Sequence, residues 1–322
     1  MKDYALTRPE TTNRRIFTIS APATDAKRSL QIKTVLVPVD FYEESLRVLE
    51  YSTLVAESFG AATHVVHVRP PKEASAIERA GNLLLNYADA IGFLQDRLAE
   101  IQEKHGVEFL PDNCHVEVGR PFEEIYETAR KTHADLIVIA TRGESGLKRL
   151  LLGSTTERVI RFAPCPVLIP RGKTYKAALA ADRKSQLKIR KILVPVDFSD
   201  CSVAGVRYAA FLGTHFDARL KLLHVVVPYN ITETAQASAK KQMTELRQST
   251  FLKGISAEAE ISTGNTIDEI CSQGTKGDVD LIVISTHGRS GFRHALMGSV
   301  AEHVARYAEC PVLVVPSRET KE

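Results

Sequence analysis

The sequence predicts an α/β protein with two similar domains, each a doubly wound, five-stranded parallel sheet of strand order 3-2-1-4-5. Three observations support this prediction. Short continuous runs of apolar and β-branched residues, such as LIVI at 136–139 and 281–284, are typical of strands buried on both faces of a parallel sheet. These runs alternate with segments of helical periodicity, which indicates right-handed β–α–β units. The whole pattern occurs twice in 322 residues, a length that fits about two domains.

The charge and hydropathy of the chain exclude several classes of protein. Its 42 basic and 39 acidic residues are interspersed, so the sequence lacks the strongly basic face that is typical of nucleic-acid-binding proteins. No apolar run approaches the ~18 to 20 residues that cross a bilayer, and the N-terminal region is charged where a secretory signal would be apolar. We therefore expect a cytoplasmic protein that binds neither nucleic acid nor membrane.

The five cysteines indicate neither a disulfide framework nor a zinc site, because their number is odd and no C-x-x-C pair occurs. Cys165 and Cys310 occupy equivalent places before the sequence PVL, where we expect buried structural thiols. No metal site is predicted.

The chain divides into four segments. Residues 1–32 are polar, lack periodicity and are expected to be irregular. Domain 1 covers 33–171 and domain 2 covers 189–317, and the Lys, Arg and Ala content of the linker at 172–188 indicates a solvated connector. Each domain ends in an apolar fifth strand, PVLIP or PVLVV. We expect two sheets rather than one continuous sheet, with these fifth strands pairing or packing between the domains of one chain, or between two chains in a homodimer.

Each domain begins with a buried strand that ends in an aspartate. The segment TVLVPVD finishes at Asp40, and KILVPVD finishes at Asp197. Open α/β sheets bind ligands at the carboxyl ends of their strands, so both aspartates are candidate site residues, although a helix-capping or turn aspartate fits the same spacing. Amphipathic helices are predicted after them, at 45–59 and 202–216.

The second strands end at Val68 and Val226, and each contains a histidine. His67 and His224 have no cluster of carboxylate or cysteine partners in the sequence, which favours a structural role over a metal site.

The third strands begin at Cys114 and Ala257, and their alternation of polar and apolar residues predicts exposed edge strands. The helix that precedes the third strand is predicted to be longer in domain 1, at 82–106, than in domain 2, at 233–251.

A strand, a glycine-bearing loop and a helix follow in each domain. The segment at 280–302 places Gly288 and Gly291 in the loop, and Ser299 with Glu302 three positions later predicts a capping box at the helix start. The amides and the positive dipole end of such a helix favour an anion, which makes this a candidate phosphate site, although the same arrangement also occurs without a ligand. The sequence DLIVIATRGESGLKRLLLGSTTE repeats the arrangement in domain 1.

The repeated pattern resembles the nucleotide-binding signature G-x2-G-x9-G-[ST] of the universal stress protein family, and two copies in one chain resemble the tandem type. The first signature glycine is replaced by Ala140 and Ser285 here. The resemblance implies an adenine nucleotide alpha hydrolase-like fold that binds ATP or AMP, with Mg²⁺ as an optional companion of ATP. It implies the following binding residues in domain 1: Asp40, Val68, Gly143, Gly146, Gly153, Ser154 and Thr155. In domain 2 it implies Asp197, Val225, Gly288, Arg289, Gly291, Gly298, Ser299 and Val300.

Motifs for strong catalysis are missing from the sequence. No G-x-G-x-x-G follows the first strand, and neither a P-loop nor a G-x-S-x-G occurs. No catalytic residue is therefore assigned, and we predict an adenine-nucleotide-binding regulatory protein of the stress response. A slow ATPase and an interaction scaffold without bound nucleotide are the alternatives, the scaffold because Ala140 and Ser285 replace the first signature glycine.

The two glycine loops differ in charge at one position, where Arg289 in domain 2 corresponds to Glu144 in domain 1. Within about 6 Å of a phosphate, a guanidinium would favour the anion and a carboxylate would oppose it by on the order of 1 kcal/mol, so we predict tighter binding in domain 2. Arg142, Lys148 and Arg149 partly compensate in domain 1, and equal sites are the alternative because exposed charges contribute little.

Overall fold

The structure of the protein, a computed structural model, describes residues 30–69, 87–105, 110–141, 152–180, 187–228, 232–276, 278–287 and 298–316. Strands and helices alternate in both halves of the chain. The first half contains β1 (Thr34–Val39), α1 (Glu43–Phe59), β2 (Ala62–Arg69), α2 (Tyr87–His105), β3 (Cys114–Val118), α3 (Pro121–Lys131), β4 (Leu136–Val138), α4 (Ser154–Phe162) and β5 (Val167–Ile169). After α5 (Gly172–Ala180), the second half contains β6 (Lys191–Pro195), α6 (Asp200–Phe216), β7 (Arg219–Val226), α7 (Glu233–Arg247), β8 (Ala257–Thr263), α8 (Thr266–Thr275), β9 (Leu281–Ser285), α9 (Ser299–Tyr307) and β10 (Val312–Val315).

The ten strands form one sheet in the order β3-β2-β1-β4-β5-β10-β9-β6-β7-β8. Within each half the order is 3-2-1-4-5 and neighbouring strands are parallel, which confirms the predicted fold class and strand order. The expectation of two separate sheets is wrong, because β5 and β10 are antiparallel neighbours, with Leu168 opposite Leu313. Each fifth strand would otherwise expose a row of unpaired backbone groups, and this contact satisfies both rows.

Helices cover both faces of the sheet. On one face α1, α2, α6 and α7 bury Leu49, Leu94 and Met243 among other apolar side chains. On the opposite face α3, α4, α8 and α9 bury residues such as Ile160 and Val304. Because neither face of the central strands meets water, their sequences are continuous apolar runs rather than alternating ones.

The segment between the domains is not a solvated connector over residues 172–180, where it forms the helix α5. Tyr175 is only 4% exposed and packs edge-to-face against Tyr51 of α1, with ring centroids 5.2 Å apart. Gly172 begins this helix with φ of 73°, and a Cβ there would overlap the carbonyl group of Glu309. The buried tyrosine and this close approach hold the segment against the folded core, which its charged composition did not indicate.

The outer strands of the sheet are β3 and β8, as their alternating sequences predict. On β2 and β3, His64 Nδ1 and His115 Nε2 lie 3.0 Å apart. The corresponding positions of the second half hold Lys221 and Glu260, an ion pair of 2.6 Å that also hydrogen-bonds to Gln273. Burial lowers the pKa of both histidines, and the neighbouring His115 lowers that of His64 further. The first half therefore favours an uncharged histidine pair at the positions where the second half has the ion pair of Lys221 and Glu260.

Candidate functional site

The strand-end aspartates lie where the strand order reverses in each half of the sheet. The strand β1 lies between β2 and β4, and β6 lies between β7 and β9. Asp40 follows β1 and Asp197 follows β6 closely. Both aspartates are thus at the topological switch point, the position outside the carboxyl ends of the strands at which open α/β sheets bind their ligands.

Both aspartates also close the turn into the next helix. The Oδ1 atom of Asp197 accepts hydrogen bonds from the Ser199 amide at 3.0 Å and the Ser199 hydroxyl at 2.6 Å. The Oδ1 atom of Asp40 accepts one from the Tyr42 amide at 3.2 Å. The turn role that the spacing left open is therefore present, and it holds each carboxylate at the sheet edge.

The residue after each aspartate has a left-handed backbone conformation that the sequence reasoning missed. The φ angle is 63° at Phe41 and 65° at Phe198. A non-glycine residue in this region costs roughly 1 to 2 kcal/mol, so other contacts must offset the strain. The centroid of the His67 ring lies 4.2 Å from that of Phe41, and the distance between the His224 and Phe198 rings is 4.5 Å. The tetrapeptide PVDF, present in both domains, is the sequence signal that could have pointed to this unit.

Val68 and Val225 lie at the carboxyl ends of β2 and β7. These strands pair in parallel with the strands that lead to Asp40 and Asp197, so each valine is placed beside the aspartate of its own half. Both valine side chains are partly buried and pack against the apolar core.

The helices α4 and α9 begin one residue earlier than the predicted capping boxes require. Gly298 is the N-cap residue of α9 and Ser299 is its first helical residue, so the predicted capping box of Ser299 and Glu302 is wrong. The Glu302 amide instead donates to the Gly298 carbonyl at 3.0 Å, and the Glu302 carboxylate pairs with Arg306 at 2.9 Å. A serine inside the first turn has helical backbone geometry, which keeps its hydroxyl from the capping position.

The N-cap glycines tie each helix start to the preceding strand. The Gly298 amide donates to the Thr286 carbonyl at 2.7 Å, and the Gly153 amide donates to the Thr141 carbonyl at 2.8 Å. A Cβ at position 298 would lie 3.0 Å from the same Thr286 oxygen. Glycine is thus needed here for space and not for an unusual φ, and the threonine partner is a contact that the sequence reasoning missed.

Side-chain caps distinguish the helix starts. The side chains of Ser199, Thr232 and Asn265 accept hydrogen bonds from first-turn amides of α6, α7 and α8. No side chain of the described residues caps α4 or α9, and the same is true of α1 and α3. At α4 and α9 these uncapped starts lie at the carboxyl edge of the sheet, and their first turns contain Ser154, Thr155, Ser299 and Val300.

Several predicted site residues lie outside the described residues. They are the loop residues Gly143, Gly146, Gly288, Arg289 and Gly291. The residues of the predicted charge difference in domain 1, Glu144, Arg142, Lys148 and Arg149, lie outside the described residues as well. The structure does describe the aspartates, the valines and the helix starts, and it brings these three components of each predicted site to one edge of the sheet.

Metal-binding and nucleophilic groups are sparse in the described part of the chain. It contains no group of three or more His, Cys, Asp or Glu residues that could hold a metal ion. His67 and His224 instead contact backbone carbonyl oxygens. Burial raises the pKa of the Cys310 thiol to about 12, so this cysteine stays protonated and unreactive at neutral pH. Among the described helices, none has the length and apolar character to cross a membrane.

Comparison with known proteins identifies the relatives of this chain. A model of the universal stress protein family matches residues 31–171 and 188–316. A universal stress protein of Methanocaldococcus jannaschii is 35% identical over 144 residues, which are 42% of this chain and 81% of that protein. One from Mycolicibacterium smegmatis is 24% identical over 302 residues, which are 88% of this chain and 97% of that protein.

A solved structure shows the same fold. The crystal structure of a universal stress protein from Archaeoglobus fulgidus matches 88% of this chain and 98% of its own, with a TM-score of 0.62 and 22% sequence identity. The alignment spans both halves, in agreement with the two separate matches of the family model. The chain belongs to the universal stress protein family and carries two of its domains in tandem.

Proposed function

We propose that this chain binds an adenine nucleotide, ATP or AMP, at the carboxyl edge of each half-sheet and acts as a regulatory protein of the stress response without strong catalysis. The binding residues of the described part of the chain are Asp40, Val68, Gly153, Ser154 and Thr155 in domain 1 and Asp197, Val225, Gly298, Ser299 and Val300 in domain 2. The loop glycines Gly143, Gly146, Gly288 and Gly291, with Arg289, complete the proposed sites.

The observation that carries this proposal is the meeting of three elements at one sheet edge. The strand β6, which leads to Asp197, pairs with β7 on one side and β9 on the other. The start of α9 is tied to the end of β9 by the hydrogen bond between Gly298 and Thr286. A nucleotide lying across this edge would place its base at the end of β7 near Val225, its ribose near Asp197 and its phosphates on α9.

The helix start suits a phosphate for two reasons. First-turn amides and the positive end of the helix dipole favour an anion, and no described side chain occupies the cap of α9. The acidic residue of that first turn, Glu302, is paired with Arg306, so its negative charge opposes an incoming phosphate less. The same arrangement occurs in domain 1, where Glu157 pairs with Arg161 at 3.6 Å.

Mass spectrometry of the ligand released from the purified protein tests this proposal, followed by calorimetric titration of the emptied protein with ATP and AMP. We expect saturable binding of one or both nucleotides, with up to two sites per chain. A folded protein that binds neither nucleotide would contradict the proposal and favour an interaction scaffold. Release of inorganic phosphate during incubation with ATP and Mg²⁺ would identify the slow ATPase.

We also propose that the two domains pair within one chain in solution and that the protein acts in the cytoplasm. The hydrogen bonds between β5 and β10 support the intramolecular pairing, because they occupy the strand edges that a homodimer would otherwise use. A monomer mass in sedimentation equilibrium and recovery from the cytosolic fraction are the expected results.

A further inference from the structure

One imidazole in domain 2 contacts the residues on both sides of the strand-end aspartate. His224 Nδ1 lies 2.7 Å from the carbonyl oxygen of Val196, the residue before Asp197. The His224 ring centroid lies 4.5 Å from that of Phe198, the residue after Asp197. Because Val196 and Phe198 flank Asp197, a displacement of Asp197 would disturb the contact of one of these neighbours with His224.

Domain 1 repeats this arrangement. His67 Nδ1 lies 2.9 Å from the Val39 carbonyl oxygen, and its ring centroid lies 4.2 Å from that of Phe41. A carbonyl oxygen only accepts hydrogen bonds, so Nδ1 carries the proton and donates it in both domains. The recurrence of both contacts around the same aspartate position indicates a shared requirement rather than an incidental contact in one loop.

The contacts counteract a backbone that is strained on its own. Phe198 has φ of 65°, and the turn it forms lets the Ser199 amide donate to Asp197 Oδ1 at 3.0 Å. Without the hydrogen bond to Val196 and the packing of the Phe198 ring, the turn has less to offset the cost of the left-handed conformation. The position of the carboxylate at the sheet edge therefore depends on the histidine.

We infer that His224 and His67 are positioning residues of the two nucleotide sites. Each histidine is followed directly by the residue proposed to face the base, Val225 or Val68, and each holds the aspartate of the neighbouring strand. One side chain thereby connects the base-binding and aspartate segments of a site. That the positioned site binds a nucleotide rests on the proposed function, whereas the role of the histidine in holding the aspartate turn does not.

Two substitutions in the full chain separate the hydrogen bond from the packing of the ring. His224→Phe keeps an aromatic ring beside Phe198 and removes the donor, whereas His224→Asn keeps an N–H donor attached at Cγ. Amide hydrogen exchange of Ser199, which reports on the turn at Asp197, is the first measurement. We expect about 3- to 10-fold faster exchange in His224→Phe, the effect of one lost neutral hydrogen bond, and a smaller acceleration in His224→Asn, which keeps the donor and loses only the ring packing.

ATP titration is the second measurement. We expect His224→Phe to weaken binding in domain 2 by about 3- to 10-fold and His67→Phe to do the same in domain 1, with a smaller loss for His224→Asn. Unchanged Ser199 exchange in a folded His224→Phe protein, or equal acceleration in the Phe and Asn variants, would overturn the inference.

Failure of the unsubstituted chain to bind either ATP or AMP would contradict the proposed function only, because the exchange experiment still decides whether the histidine holds the turn. If His224→Phe does not fold, His67→Phe provides the same test through exchange of the Tyr42 amide, which donates to Asp40.

Discussion

Replacement of Gly298 by valine should greatly weaken nucleotide binding in domain 2. The Gly298 amide donates to the Thr286 carbonyl at 2.7 Å, and a Cβ at this position would lie 3.0 Å from the same oxygen. This contact is closer than ordinary van der Waals separation, so even one added carbon must move the start of α9 by a few tenths of an ångström. The two further methyl groups of valine enlarge that shift and crowd the first-turn amides that we expect to bind the phosphates.

The expected loss of affinity follows from the cost of forcing extra atoms into a packed contact. Such overpacking costs about 1 to 3 kcal/mol, which corresponds to about 5- to 150-fold in affinity if it falls on the bound state. Gly298→Ala should lie at the lower end of this range. Ser299→Ala is the matched control, because it keeps the Ser299 amide that we expect to bind the phosphates and removes only a hydroxyl that does not cap the helix, and we expect it to change the free energy of unfolding by less than ~0.5 kcal/mol.

Calorimetric titration with ATP, together with thermal unfolding of each variant, measures these effects. An unchanged affinity in a folded Gly298→Val protein would refute the placement of the phosphates on α9. If the valine variant does not fold, the alanine variant decides the question, since its affinity should still fall below that of Ser299→Ala.

Three further predictions concern the pH response, the strained turn and the loop charge. Because burial holds the pKa of His64 and of His115 below the ordinary value of 6.5, the unfolded chain binds more protons below that pH, and the free energy of unfolding should decrease as the pH falls through this range. The double variant H64K/H115E, which copies the ion pair of the second half, should show a smaller decrease in urea titrations, and equal slopes would contradict this. Phe198→Gly should be more stable than Phe198→Ala by about 1 kcal/mol in the same assay, because glycine tolerates the φ of 65°, and the reverse order would show that the turn is not strained. Glu144→Arg should strengthen ATP binding in domain 1 toward the affinity set by Arg289 in domain 2, by on the order of 1 kcal/mol, and an unchanged affinity would remove the charge argument.

The pattern of apolar residues was sufficient to predict most of the fold. Continuous runs such as LIVI at 281–284 predicted buried parallel strands, and the structure buries all four of these residues. The alternation at Ala257 predicted an edge strand, and β8 is at one edge of the sheet. A strand buried on two faces has consecutive apolar residues, and a strand buried on one face has alternating ones. The pattern of neighbouring residues in a single sequence therefore indicates how many faces of the strand are buried.

The site could be predicted only as far as its residue types. Asp197 and the helix start near Gly298 were proposed as site residues because the sequence repeats them in domain 1 and resembles the family signature. Their geometry depends on partners that are distant in the chain or that a periodicity does not reveal. The N-cap is Gly298 rather than Ser299 since the helix start bonds to Thr286, and Asp197 is held through contacts of its two neighbours with His224.

The joining of the two halves was likewise decided by the tertiary structure. The sequences of β5 and β10 show that both strands are apolar, but not whether each ends a separate sheet. Their antiparallel pairing places both strands at the centre of one sheet. In the segment between the domains, Tyr175 packs α5 against α1. Strand pairing forms backbone hydrogen bonds, and helix packing buries apolar surface, between residues that are far apart in the sequence. Hydrophobic periodicity indicates only which face of each element is buried, and not which partner covers it.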